Sequence, residues 1–364
     1  TVAPDTTQHS SEGSAEGLVL RLIGLARTRA MRKTSIIIPS SDGARSTTHR
    51  EVVTERKDFL SYEVHLASFD GRATNGTYSY PFSVLLPPGL PSSMQERGPQ
   101  GVGCAIAYGF EARLHRPGLL HTDAKAKSQL KVFSRPQETA AAMPVLVGPE
   151  AQTVKTCCCF KSGSMSIGFE ADRSVVGINE PVRLTVVARN DSSLSVKSMH
   201  IEILQVCTWY AHGQKETNTR TVASMIVAGS QLGEVQRAAG EGNQRGRSAI
   251  AVDVAARQYL QEMLASGAGT RYELLVPDDC IVSTETGLID VRHSLSVRLK
   301  TPACINSPDV WMPLRVQTGT SGVLSPAKAP PYATALAAES GGDLRPVSVP
   351  QSAVTMEFSS ELPQ

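Results

Sequence analysis

A chain of 364 residues, 41% of them hydrophobic and with 29 glycines besides, has the length and apolar content for two or three globular domains. Its 36 Lys and Arg against 34 Asp and Glu leave a formal net charge of +2, so no overall field steers it towards nucleic acid. No apolar run approaches the roughly eighteen residues of a membrane span, and residues 1–17 lack the basic-then-apolar layout of a secretory leader, which points to the cytosol.

Residues 1–16 are polar and are expected to be a flexible lead-in. Gly17 to Leu25 reads as the first strand and Ser35 to Ile38 as a short second one, with a charged loop from Ser40 to Asp58. Phe59 to Ala67 alternates, Tyr62, Val64 and Leu66 on one face and Glu63 and His65 on the other. Asn75-Gly76 supplies a tight turn, and Tyr78 to Leu86 forms a strand that Pro87-Pro88 must end, because proline cannot donate to a sheet ladder. The strongest period-two signal follows. Cys104, Ile106, Tyr108, Phe110, Ala112 and Leu114 share one face, and Glu111, Arg113 and His115 the other. From Asp123 the same parity puts Lys125, Lys127, Gln129 and Lys131 outside, with Leu130 and Val132 inside.

The small residues of 141–156 are expected to be a linker between an N-terminal sandwich (17–140) and a C-terminal one (157–316). Met165, Ile167 and Phe169 open the second set of strands, and Val182, Leu184, Val186 and Ala188 continue it. Val196 to Tyr210 is a long strand with Thr221 to Val227 as its neighbour. An insertion, 229–270, breaks the rhythm; within it the spacing over Val252 to Leu264 predicts one short helix. Strands resume at Arg271 to Val276, at Ile289 to Lys300 and at Trp311 to Val316, after which 317–364 has the composition of a disordered tail. Two runs of short strands with almost no helix make an all-β chain of two antiparallel sandwiches.

The strand exit Tyr80-Pro81-Phe82-Ser83-Val84-Leu85-Leu86-Pro87-Pro88-Gly89-Leu90-Pro91-Ser92-Ser93 resembles the N-terminal domain of the arrestins, chiefly the α-arrestin (arrestin-domain-containing) branch. The stretch from Cys157 to Ser193 is similar to the opening of an arrestin C-terminal domain, Thr286 to Lys300 to a later strand, and Trp311 to Val316 to its last. The resemblance implies tandem immunoglobulin-like β-sandwiches in the arrestin fold. It also implies a non-enzymatic cytosolic adaptor, at the plasma membrane or endosomes, that binds the cytosolic tails of membrane proteins. Such an adaptor links them to endocytic sorting, protein transport or signalling, through a ubiquitin ligase or a trafficking complex. The alternative within the same resemblance is a structural scaffold subunit of a trafficking complex, of the retromer arrestin-like type. Three features depart from the family pattern. The strands and Gly-Glu turn that usually open the first domain are not found upstream of Gly17; Asn179 stands where the family has Gly before Glu180; and Pro330-Pro331-Tyr332 lacks the spacer of the P-P-x-Y motif that recruits ubiquitin ligases.

The residues offer no G-x-S-x-G, P-loop or H-E-x-x-H motif, so no catalytic, cofactor-binding or metal-ligating residue and no cofactor is expected. The eight histidines are scattered, mostly on outward strand faces. Seven cysteines, three of them consecutive, suit neither a disulfide framework nor a tetrahedral metal site. Cys157, Cys158 and Cys159 are candidate lipidation sites giving peripheral membrane association; the plainer reading is that one or two pack inward as small hydrophobes. Lys125, Lys127 and Lys131 are the candidate anion- or phosphopeptide-binding group, against the ordinary alternative of a solubilising strand face.

Overall fold

One hairpin dominates the first half of the chain in this computed structural model: β1 (Gly17–Ile38) pairs antiparallel along its whole length with β2 (Arg45–Ser68). The structure describes residues 17–38, 45–69, 78–116, 123–134, 144–156, 160–232, 258, 261–266, 268–301, 307–319 and 353–356. The chain divides into two units, Thr1–Phe133 with Ser325–Gln364, and Ser134–Leu324.

The first unit adds β3 (Phe82–Leu85), β4 (Met94–Arg97), β5 (Gly103–His115) and β6 (Ala124–Leu130) to the hairpin. Its main sheet runs β2-β1-β5-β4, and β6 also pairs with β5. Even-numbered residues of β1 and β5 face inward: Leu20, Leu22, Ala26, Cys104, Ile106, Tyr108 and Phe110 are buried. The second layer comes from β3, whose Phe82 meets Phe110 edge to face with ring centroids 5.4 Å apart. The Tyr108 hydroxyl donates to the Pro91 carbonyl at 2.6 Å, which ties the proline-rich strand exit to the sheet.

The second unit contains β7 (Val145–Thr156), β8 (Phe160–Ala171), β9 (Val175–Gly177), β10 (Pro181–Ser192), β11 (Ser198–Ala211), β12 (Gln214–Ala228), β13 (Thr270–Leu275), β14 (Thr284–Thr286), β15 (Ile289–Lys300) and β16 (Asp309–Gln317). A four-stranded sheet, β13-β10-β8-β7, packs on a larger one, β12-β11-β15-β16-β9, with β14 on β15. Met165, Ile167 and Phe169 from the first sheet meet Met199, Ile201, Ile203, Leu295, Val297 and Leu299 from the second in one buried core. A last strand, β17 (Ala353–Met356), pairs with β3 of the first unit. The two tandem antiparallel β-sandwiches are those expected from the strand pattern, apart from one parallel pairing, β9 with β16.

Several local expectations are corrected. The charged stretch 45–58, expected as loop, is strand, because β1 offers it a partner and its Thr and Val residues suit a pleated backbone. The strand expected from Tyr78 shortens to Phe82–Leu85, with Tyr78 and Tyr80 stacked before it. Residues 145–156, expected as linker, form β7, held by antiparallel pairing with β8. The tail expected to be disordered contributes β17. Of the helix expected over 252–264, residues 258 and 261–265 are described and are helical, and Leu264 packs on Val187 of β10.

Candidate functional site

Because β1 and β5 bury their even positions, their odd positions build the outer face of the first unit's main sheet. Register then decides which charges meet. Lys127 of β6 lies opposite Glu111 of β5, Glu111 opposite Arg21 of β1, and Arg21 opposite Glu63 of β2. One row along, Lys125 lies opposite Arg113.

Glu111 is the hub of this face. It is only 7% exposed, and its carboxylate accepts from Arg113 Nε at 2.5 Å and from Lys127 Nζ at 3.2 Å. Burial alone would raise its carboxyl, but the hydrogen bonds from Arg113 and Lys127 outweigh that and hold it below the usual range. Arg21 donates to Ser61 Oγ at 3.1 and 3.0 Å, and Arg56 grips Asp58 at 2.7 and 3.0 Å.

The three expected lysines are therefore not equivalent. Lys125 and Lys127 do share one exposed strand face, two residues apart. Lys127 is already tied to Glu111, while Lys125 sits beside Arg113. Lys131 falls beyond the end of β6, with its ammonium 5.1 Å from the centre of the Phe133 ring. Arg113 and Glu111 belong to the cluster although only the lysines were singled out. The alternation of β5 had already turned both outward, but nothing in the spacing reveals the β5–β6 register that joins them to the lysines. Cys157, Cys158 and Cys159 lie outside the described residues.

In the second unit, a buried polar cluster has the look of chemistry without its properties. Cys280 Sγ lies 3.5 Å from His293 Nε2, and Ser283 Oγ lies 3.0 Å from His293 Nδ1. Gln205 Oε1 accepts from Arg220 Nη2 at 3.2 Å and from the Ile281 amide at 3.3 Å. A cysteine beside a histidine is the arrangement of a nucleophile and its base. Here burial pushes the thiol up to about 11 and the imidazole down to about 4, so both are neutral at pH 7. With the thiol held protonated, the cluster is an internal hydrogen-bond network and not an activated thiolate. His293, one of the scattered histidines expected mostly on outward faces, is thus 4% exposed and held inside this network. Among the described residues, no group of three or more His, Cys, Asp or Glu could hold a metal ion, and no helix is long and apolar enough to cross a membrane.

Two β-sandwich units, the first with a charged cluster on the outer face of its main sheet, make up the architecture. The comparisons with known proteins make this specific. The arrestin (or S-antigen) N-terminal domain model matches residues 7–137, and the arrestin (or S-antigen) C-terminal domain model matches residues 161–321. The chain belongs to the arrestin family. Beta-arrestin-2 of Rattus norvegicus and of Mus musculus are each 25% identical to it over 133 residues. That alignment covers 36% of this chain and 32% of each relative, so the chain spans about a third of the length of the curated relatives it matches.

Proposed function

We propose that this protein is a non-enzymatic adaptor that captures the cytosolic tails of membrane proteins and couples them to endocytic sorting, transport or signalling. The observation that carries the reading is the pair of arrestin domains, N-terminal then C-terminal, in one chain. It would work in the cytoplasm, at the plasma membrane or endosomes. The capture site is the outer face of β5 and β6, where Lys125 and Arg113 lie side by side, with Lys127 two residues further along β6 and Lys131 beyond its end. An acidic or phosphorylated tail laid along β6 would take charge-assisted hydrogen bonds from Lys125 and compete with Glu111 for Arg113 and Lys127. Each exposed cation contributes roughly 0.2 to 1 kcal/mol, so the set matters more than any member.

Titration of matched phosphorylated and unphosphorylated tail peptides against wild type and the Lys125→Glu/Lys127→Glu/Lys131→Glu variant tests this. Wild type should prefer the phosphorylated peptide and the variant should lose that preference. Affinity should fall steeply with salt, since exposed charges are screened within about 8 Å at physiological ionic strength. Equal affinity in all four combinations would make these lysines a solubilising face. The incomplete P-P-x-Y motif at Pro330-Pro331-Tyr332 favours the scaffold alternative, and recovery from cells only in a fixed stoichiometric complex would establish it.

A further inference from the structure

The β1–β2 hairpin outgrows its sheet. β5 stops at Gly103, opposite Arg29, so beyond that row the hairpin is a two-stranded ribbon among the described strands. On its outer face the facing pairs from row 27 onward are Arg27–Arg56, Arg29–Thr54, Met31–Val52, Lys33–Arg50 and Ser35–Thr48. These rows hold five cations and no carboxylate. Arg27, Arg29, Lys33, Arg50 and Arg56 are all exposed. The acids of this stretch occupy the opposite face, where Glu51 pairs with Arg32 at 3.0 Å and Glu55 stands opposite Thr28.

Two rows, Arg27–Arg56 and Lys33–Arg50, set like charges directly across from one another, which weakens a hairpin. Asp58 relieves the first row by gripping Arg56. On β5, the positions beside Arg27 and Arg29 are Ala105 and Gly103, too small to shield them. The result is an array of exposed cations two strands wide and roughly 25 Å long, at about 3.3 Å per residue. A half-exposed apolar pair, Met31–Val52, lies in its middle.

We propose that this face docks on the anionic surface of a lipid bilayer. A surface of repeating anions can meet the exposed cations of both strands at once, whereas one extended peptide would cover a single strand's width of them. Met31 and Val52 would meet the interfacial region between headgroups. The inference rests on placing the protein at a membrane, but not on capture of tails.

Co-flotation of the full chain with vesicles tests it, using phosphatidylcholine alone and phosphatidylcholine mixed with phosphatidylserine. Binding should require phosphatidylserine and weaken with salt. Each basic residue at an anionic surface is worth about fivefold in partitioning, so Arg27→Gln/Lys33→Gln/Arg50→Gln should lower it on the order of a hundredfold. Hydrogen exchange on adding vesicles should slow at residues 27–35 and 48–56. Equal partitioning of wild type and variant, or binding that ignores phosphatidylserine, would overturn the proposal. If the variant instead loses phosphorylated-tail binding while vesicle binding stands, the face is a peptide site. Vesicle binding with no tail capture by wild type would sink the adaptor reading alone.

Discussion

Asn179 sits in the left-handed region, with φ 61°, in the turn Gly177-Ile178-Asn179-Glu180 that leads into β10. Asparagine tolerates that conformation far better than a β-branched residue, so it serves where the family pattern has glycine. Glu180 then locks the turn: its carboxylate accepts from the Gly177 amide at 3.0 Å, and its own amide donates to the Gly177 carbonyl at 3.1 Å. Asn179 thus takes up the left-handed conformation that glycine adopts without cost. His293 carries the prediction at this scale. Burial, with a smaller contribution from the charge of Arg220, lowers its pKa from 6.5 to about 4 in the folded protein. Above pH 6.5 it is neutral folded or unfolded, and its contribution to stability is complete. Between pH 6.5 and 4 the unfolded chain takes up the proton first, so stability falls with pH, by up to about 3 kcal/mol. Urea midpoints at pH 7.5 and 4.5 should show the drop in wild type and a smaller one in His293→Gln. Parallel pH profiles would mean that His293 is not held neutral by the fold.

At the scale of elements, the hairpin's irregularity has a visible cause. Register shifts between Gly24 and Leu25, and a Cβ at Gly24 would lie 2.8 Å from Tyr108 Cε1 and 2.9 Å from both Phe59 Cε2 and Leu60 Cβ. Phe59 and Tyr108 meet edge to face at 5.5 Å just there. Gly24→Ala should therefore cost about 1 to 3 kcal/mol through overpacking, measured as a lower urea midpoint; an unchanged midpoint would show that the bulge can absorb a methyl group. Gly103–His115 was legible in the sequence because one face is buried and one is wet, which writes the period into the residues. Residues 46–52 are exposed on both faces, so no alternation marks them, and only the partner strand reveals them as sheet. The same holds for β7, where Val145 and Val147 are half-buried, Leu146 is 53% exposed, and Gly148-Pro149 interrupt the run. For the candidate site, strand alternation showed which way the lysines point. The Glu111 clamp was illegible because it depends on a register between two strands separated by eight residues of the chain.

For the whole molecule, the two sandwiches hold separate interiors. Phe110 is buried in the first unit and Leu295 in the core of the second. Phe110→Ala and Leu295→Ala should each cost about 2 to 5 kcal/mol. The double variant should lose close to the sum, because distant sites without shared partners add. Strong coupling in a double-mutant cycle would mean that the units unfold as one. Two arrestin domain matches in series agree with two units of structure.

The parallel pairing of β9 with β16 joins Val175–Gly177 to Arg315–Gln317, and Thr318 Oγ1 reaches back to the Ser134 carbonyl at 2.9 Å. During synthesis these early residues emerge about 140 positions ahead of their partners. The five-stranded sheet of the first unit has all its strands by Leu130, so it can assemble while the second is still being made. The second waits with unpaired strand edges until its last strand leaves the ribosome. That interval is when open edges recruit other chains. A nascent chain stalled before Asp309 leaves β9 and β15 without β16, and β3 without β17, and is a form of this protein in need of a chaperone.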